Sequence, residues 1–351
     1  MPSTPRFRKR VFHNTLGAPV AALVLVIFCA LPATAVPEKP QDNAALQALS
    51  DKYAADVREV LAWLHTQPPV APGDDTRKHM LLKLDPPLLV YEAGYLPIVG
   101  EFFRARMQAF LRDFENTRVD SGVVIWKLYN HTEVIKTPEA TLVTDLIQGW
   151  GEIFWDDAGM DRLIAGVDAL LISHQHGDHI DIRVLRKFKA AGKPVYAPEI
   201  PSDWRDDPDA DYITLVRDES FEINGVKIYA FPAFQKTTIN NVYLIQTPGG
   251  VRVMHLGDDN ESLRMGQEWF RRFGAKGLDI DILIPNCWCP NLALLLEYVK
   301  PQLMISSHEH EVGHPVHGRR EYGELYKVLP TVNVPFVVPA WGEKVVWPGR
   351  G

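Results

Sequence analysis

The sequence predicts an α/β layered sandwich preceded by a helical extension, on three observations. Apolar positions recur at helical spacing up to about residue 118. Short strands with tight polar turns follow from Ser121, and strands then alternate with helices to the C-terminus. At 351 residues, 46% hydrophobic and 23% charged, the chain has the composition of a globular protein with a sizeable core.

Residues 1–35 stand apart from that core. Arg6, Arg8, Lys9 and Arg10 make a basic start, residues 20–31 are an apolar run, and Ala33-Thr34-Ala35 is a small-x-small site. This order predicts a secretory signal cleaved after Ala35 and a periplasmic or secreted protein, with an uncleaved anchor as the alternative. The apolar run is too short for a comfortable membrane span, so no stable span is expected after cleavage. Without the signal the chain has 33 basic against 44 acidic residues, a formal charge of −11. So acidic a body gains little counterion release on a polyanion, and no nucleic-acid partner is expected.

Residues 36–118 read as the helical extension. Leu46, Leu49, Tyr53, Val57, Val60 and Leu64 line one helix face, which Gln67-Pro68-Pro69 ends. Phe102, Phe103, Met107, Phe110, Leu111 and Phe114 line a second. Such faces are expected to cover a sheet edge or a helix; shaping the site's mouth and a subunit contact stay open, and the sequence leaves the oligomeric state unknown. Residues 119–351 form the sandwich domain. Strands are predicted at 123–126, 134–135, 141–145, 169–172, 222–231, 242–246, 251–256, 280–285, 303–306, 336–338 and 344–346, with helices at 182–191, 261–273, 292–299 and 318–329. Of the three cysteines, Cys29 lies in the signal. Cys287 and Cys289 are too close in sequence for an easy disulfide, so buried thiols are preferred over a strained redox pair.

The chemistry concentrates behind the buried run Leu170-Leu171-Ile172. His174, His176, Asp178 and His179 place four candidate metal ligands within six residues, at the carboxyl end of a strand. Gly177 lets the loop turn tightly.

Those four residues match HxHxDH, and residues 119–348 resemble the metallo-β-lactamase superfamily, in particular its lactonase and N-acyl-phosphatidylethanolamine phospholipase D-like branch. The resemblance implies a four-layer αβ/βα sandwich. It also implies Asp258, after Gly257, as a bridging ligand, His308 as the last ligand, and Asp145 as a post beneath the loop. One element departs. Where that branch follows a Pro-Ala-aromatic stretch with a third histidine for the first metal, Phe231-Pro232-Ala233-Phe234 is followed here by Gln235. Two zinc ions with the first weakly held are favoured, against a mononuclear centre; iron and manganese stay open. His255 is read as packing or supporting the site.

What this implies is an exported metal-dependent hydrolase that uses metal-bound hydroxide on an ester, lactone or phosphodiester bond of a small-molecule or lipid-like substrate. Asp178 would orient the nucleophile and His310 or His314 would protonate the leaving group. Gln235, Glu311 and Arg319 would contact substrate or support the ligands, with Arg319 available to an anionic group. His131 is expected in an exposed turn. Trp150, Phe154 and Trp155 are expected in ordinary packing, with an apolar wall of the site as the alternative. A non-catalytic metal-binding protein with an eroded first site, and a β-lactam hydrolase, are the rival readings.

Overall fold

The computed structural model describes residues 40, 42–71, 74–259, 270–271, 274, 276–287, 289 and 292–349. The predicted signal, Cys29 and most of the helix expected at 261–273 lie outside the described residues.

Four helices come first: α1 (Asn43–Leu64), α2 (Asp75–Leu82), α3 (Asp85–Leu88) and α4 (Pro97–Asn116). Asp42 caps α1 by accepting from the backbone N–H of Ala45, satisfying a donor that the first turn leaves open. Pro97 opens α4, where its fixed φ suits a first helical position. Then come β1 (Val123–Lys127), β2 (Glu133–Lys136), β3 (Thr141–Thr144), a small hairpin β4 (Gly149–Trp150) and β5 (Ile153–Phe154), α5 (Asp157–Gly166), β6 (Ala169–Leu171), α6 (Ile182–Ala190), β7 (Val195–Ala197) and β8 (Ile213–Leu215). The second half holds β9 (Glu219–Ile223), β10 (Val226–Gln235), β11 (Thr238–Gln246), β12 (Arg252–His255), β13 (Ile282–Ile284), α7 (Leu292–Val299), β14 (Leu303–Ile305), α8 (Tyr322–Val328), β15 (Phe336–Val337) and β16 (Glu343–Trp347).

Two seven-stranded sheets result, ordered β16-β1-β2-β3-β6-β7-β8 and β15-β14-β13-β12-β11-β10-β9. Strand alternation decides the layering. Val123 and Ile125 of β1 join Ile228, Ile245, Val253 and Ile282 in the core between the sheets. Their neighbours Val124 and Trp126, like Met254 and Leu283 of the second sheet, point outward into the cores under the helices. This is the α/β layered sandwich, with the helical extension packed on it.

The extension is not a separate body. On α4, Phe110 stacks on Phe114 and meets Trp126 and Trp155 edge-on, so the helix covers the outer face of β1. The strand expected at 222–231 is two strands instead. Asn224 and Gly225, at φ 49° and 89°, make the tight turn between β9 and β10. A two-residue turn with both centres left-handed is a hairpin signal, which the uninterrupted apolar pattern around it obscured. The last helix begins at Tyr322 rather than 318, because residues 316–318 form a 3-10 turn. Among the described residues no helix is long and apolar enough to cross a membrane.

Phe110 is fully buried, so Phe110→Ala is expected to cost about 3–5 kcal/mol through the cavity it leaves. Urea unfolding followed by circular dichroism measures it; a loss below ~1 kcal/mol would contradict the packing of α4 on the sheet.

Candidate metal centre

The ligand loop is positioned by the pairing of β3 with β6. Their parallel register sets Thr144 beside Leu171, so Asp145 falls next to the chain entering the histidine loop. Asp145 adopts φ 44° and accepts from Ser173 N at 2.6 Å, Ser173 Oγ at 2.7 Å and His179 Nδ1 at 2.9 Å. Burial alone would raise its pKa, but the surrounding imidazoles, His179 first, hold it below the usual carboxylate range. With Nδ1 committed to Asp145, His179 turns Nε2 toward the centre.

The second sheet delivers the other half. Gly257, just past β12, sits at φ 55°, and a Cβ there would lie 2.4 Å from Asn240 Oδ1 and 2.5 Å from Ser173 Cβ. Only glycine lets the two loops approach so closely. Asn240 Oδ1 accepts from Asp258 N at 3.1 Å, and Asn286 Nδ2 donates to Gly257 O at 3.0 Å. Beyond β14, His308 is held at φ 72°, its N–H donating to Asn130 O at 3.2 Å and its carbonyl accepting from Cys287 Sγ at 3.1 Å. Asn130 also donates from Nδ2 to Asp178 O at 2.6 Å. One turn residue therefore ties the loops of both sheets together.

The resulting donor geometry can be tested against a metal. His179 Nε2 lies 3.2 Å from His308 Nε2, 3.3 Å from Asp178 Oδ2 and 3.5 Å from Asp258 Oδ2. His308 Nε2 lies 3.5 Å from Asp178 Oδ2 and 3.4 Å from Asp258 Oδ1. Donors about 2.1 Å from one ion at tetrahedral angles stand about 3.4 Å apart. Asp178 Oδ2 is buried without a hydrogen-bond donor. Burial disfavours the ionised form of both carboxylates, yet the adjoining imidazoles keep Asp178 and Asp258 below the usual range. Asp178, His179 and His308 fit a divalent cation, with Asp258 flanking both histidines.

The other half is sparser. His174 Nε2 stands 3.0 Å from His176 Nδ1, and His176 Nε2 stands 3.3 Å from Thr238 Oγ1. Burial pushes His174 down to about 3, so it is neutral and ready to ligate. Gln235 ends β10 opposite Thr238 and donates from Nε2 to Asp258 Oδ2 at 2.8 Å, while its buried Oε1 has no hydrogen-bond partner. An amide oxygen in that place is a weaker donor than an imidazole.

Residues 156–287 match the family model described as a β-lactamase superfamily domain. A "possible metal-dependent hydrolase" of Veillonella parvula shares 13% identity at a TM-score of 0.50, over 65% of this chain and all of that one. Over residues 156–287 the chain is similar to that family, and the likeness to the solved structure is one of fold. A metallo hydrolase of Ignicoccus hospitalis (15% identity, TM-score 0.48, 65% of this chain and 99% of that one) and an isothiocyanate hydrolase from Delia radicum gut bacteria (15%, 0.48, 65% and 100%) are also similar. No curated protein matches.

The segment after His308 departs from its expected roles. His310 is fully buried, with Nε2 2.7 Å from Asp85 Oδ1, and Asp85 also accepts from Tyr322 N and Gly323 N. Its surroundings make it a joint to α3, not the proton donor expected. Arg319 is not available to an anion either. It donates to His314 O (2.9 Å), Leu88 O (2.8 Å), Val90 O (2.7 Å) and Val312 O (2.8 Å), clamping the extension to the 312–314 turn. Lys127 pairs with Glu309 in the interior beside it. Glu311 Oε1 accepts from Tyr129 OH at 2.9 Å, and His314 reaches the centre, with Nε2 3.8 Å from Asp178 Oδ2.

His131 is fully buried rather than exposed, because the turn between β1 and β2 folds under the metal loop. Its ring lies 4.2 Å from that of His255, and burial pushes its pKa well below the usual value. His255 pairs with Glu133 at 2.9 Å, a supporting contact. Trp155 packs in the core against Phe103, Trp150 meets Tyr95 edge-on, and Phe154 is exposed. Cys287 and Cys289 are both partly exposed, not the fully buried thiols expected, and are not paired with each other in a disulfide. Asn130, Asn240 and Asp85 were missed by the sequence; only the first, an asparagine in a tight turn, carried a local signal.

Arg319→Ala leaves buried carbonyls of two segments without a donor. It should lower stability by about 3 kcal/mol and accelerate metal loss, read by urea melts and by dialysis against chelator. Unchanged values in both would contradict the clamp.

Proposed function

We propose that the protein is a metal-dependent hydrolase, carried by one observation: His179 Nε2, His308 Nε2 and Asp178 Oδ2 stand 3.2–3.5 Å apart, the spacing of ligands around one ion. A metal bound there supplies Lewis acidity and lowers the pKa of a coordinated water toward neutrality. Imidazole and carboxylate donors suit zinc, and iron and manganese accept them too.

The chain's own residues do the rest. Asp178, with Oδ2 turned to the ligand imidazoles, is placed to orient the attacking water and take its proton on its other carboxylate oxygen. The water oxygen adds to a carbonyl carbon or phosphorus, the bond to the leaving oxygen breaks, and the proton passes from Asp178 to that oxygen. Asp145 keeps His179 in the tautomer that faces the centre.

A cavity of about 340 Å³ is lined by Asn286, Cys287, Leu292, Met304 and Leu325 and by none of the candidate ligands, so it does not define the substrate. An ester, lactone or phosphodiester of a small-molecule or lipid-like substrate is the proposed class, on the resemblance carried by the histidine loop. The basic, apolar and small-residue order of residues 1–35 supports export.

Purified protein loaded with zinc, manganese or iron should hydrolyse at least one member of a chromogenic ester, lactone and phosphodiester panel. Asp178→Asn should lower the rate by roughly 10²–10⁴-fold. No turnover with any metal, or equal rates in Asp178→Asn, would overturn the reading. Turnover confined to nitrocefin would move the substrate class to β-lactams.

A further inference from the structure

Gln235 deprives the His174/His176 half of an imidazole, and the opposite half carries one that the ligand set does not use. His314 follows His308 by six residues on the loop that Arg319 clamps in place. Its Nε2 lies 3.8 Å from Asp178 Oδ2, the oxygen that the Nε2 atoms of His179 and His308 already flank at 3.3 and 3.5 Å. The His308 and His314 rings lie nearly parallel, 14° apart with centroids 6.2 Å apart, so both present the same edge to the centre.

The far side of the ring is also built for ligation. His314 Nδ1 lies 3.4 Å from Glu311 Oε2. Glu311 is itself fixed, accepting from Tyr129 OH at 2.9 Å and Gly313 N at 2.9 Å, and from the His314 backbone N–H. A carboxylate behind one ring nitrogen with the other aimed at the centre is the arrangement that orients metal-ligating histidines. Between Asp145 and His179 the corresponding contact is a hydrogen bond of 2.9 Å, and between Glu311 and His314 it is the longer approach of 3.4 Å. Ligand atoms of Asp178, Glu311 and His314 all fall within 4.8 Å of one another, a group that shares Asp178 with the group of Asp178, His179 and His308. As a leaving-group acid, His314 would have to stand clear of the ligands; its Nε2 faces their shared carboxylate instead.

We propose that His314 is a further metal ligand through Nε2, held by Glu311 as a positioning residue, and that it gives the Asp178 side of the centre three imidazoles. That side then carries the tightly bound ion, while the side facing Gln235 is the weak one. The inference rests on the metal-hydrolase reading, and its test separates the two.

Metal-stripped full-length protein is titrated with cobalt(II), following visible absorption and binding stoichiometry. Wild type should show one tight equivalent with a defined d–d spectrum. His314→Gln should bind that equivalent at least 10-fold more weakly with an altered spectrum, and Glu311→Gln should weaken it by about 10–100-fold. The exposed His317→Ala should match wild type. Far-UV circular dichroism checks that each variant is folded, and His314 at 20% exposure is a position where glutamine fits. Unchanged affinity and spectrum in His314→Gln would overturn this inference alone. A wild type that takes up no cobalt would overturn it together with the reading beneath it.

Discussion

Two imidazole nitrogens from different sheets, His179 Nε2 and His308 Nε2, are held 3.2 Å apart beside two ionised carboxylates, and the surrounding structure serves that approach. Left to themselves, buried carboxylates would take up protons or move apart, because desolvation of an unpaired charge is costly. They are kept together by backbone ties that do not depend on the metal. Asp145 holds the first loop, Asn130 holds both, and Gly257 removes the side chain that would keep them separate. A site preorganised in this way loses little entropy when an ion enters.

The helical extension takes part in this constraint. Arg319 reaches the carbonyls after α3, and Asp85 at the start of α3 binds His310 and the first turn of α8. Both contacts fix the loop that carries Glu311 and His314. The aromatic face of α4 holds the extension to β1, so packing far from the centre is transmitted to it through this loop. His308 and His310 at positive φ are the local strain this loop sustains, and strain of that kind persists where the surroundings over-determine it.

Much of the fold and the core of the site are local in sequence and were legible there. Strand alternation gave the two faces of each sheet, and the histidine loop announced itself by density and by its place after β6. Asp258 and His308 followed from a resemblance. What was not legible depends on partners more than a hundred residues away. Arg319 looks like an anion receptor until Leu88 and Val90 are seen in front of it, and His310 looks catalytic until Asp85 is seen beside it. His131 sits in a turn that polarity alone places in solvent; only the crossing of that turn beneath the other sheet's loop buries it. Gln235 stands out in the sequence as a departure from the resemblance, but its hydrogen bond to Asp258 required the geometry of the β10–β11 hairpin.

The most direct measurement is an anomalous difference map from crystals of the protein grown with zinc. The account predicts a strong peak within about 2.0–2.3 Å of His179 Nε2, His308 Nε2 and Asp178 Oδ2. A map with no peak between those atoms would contradict it.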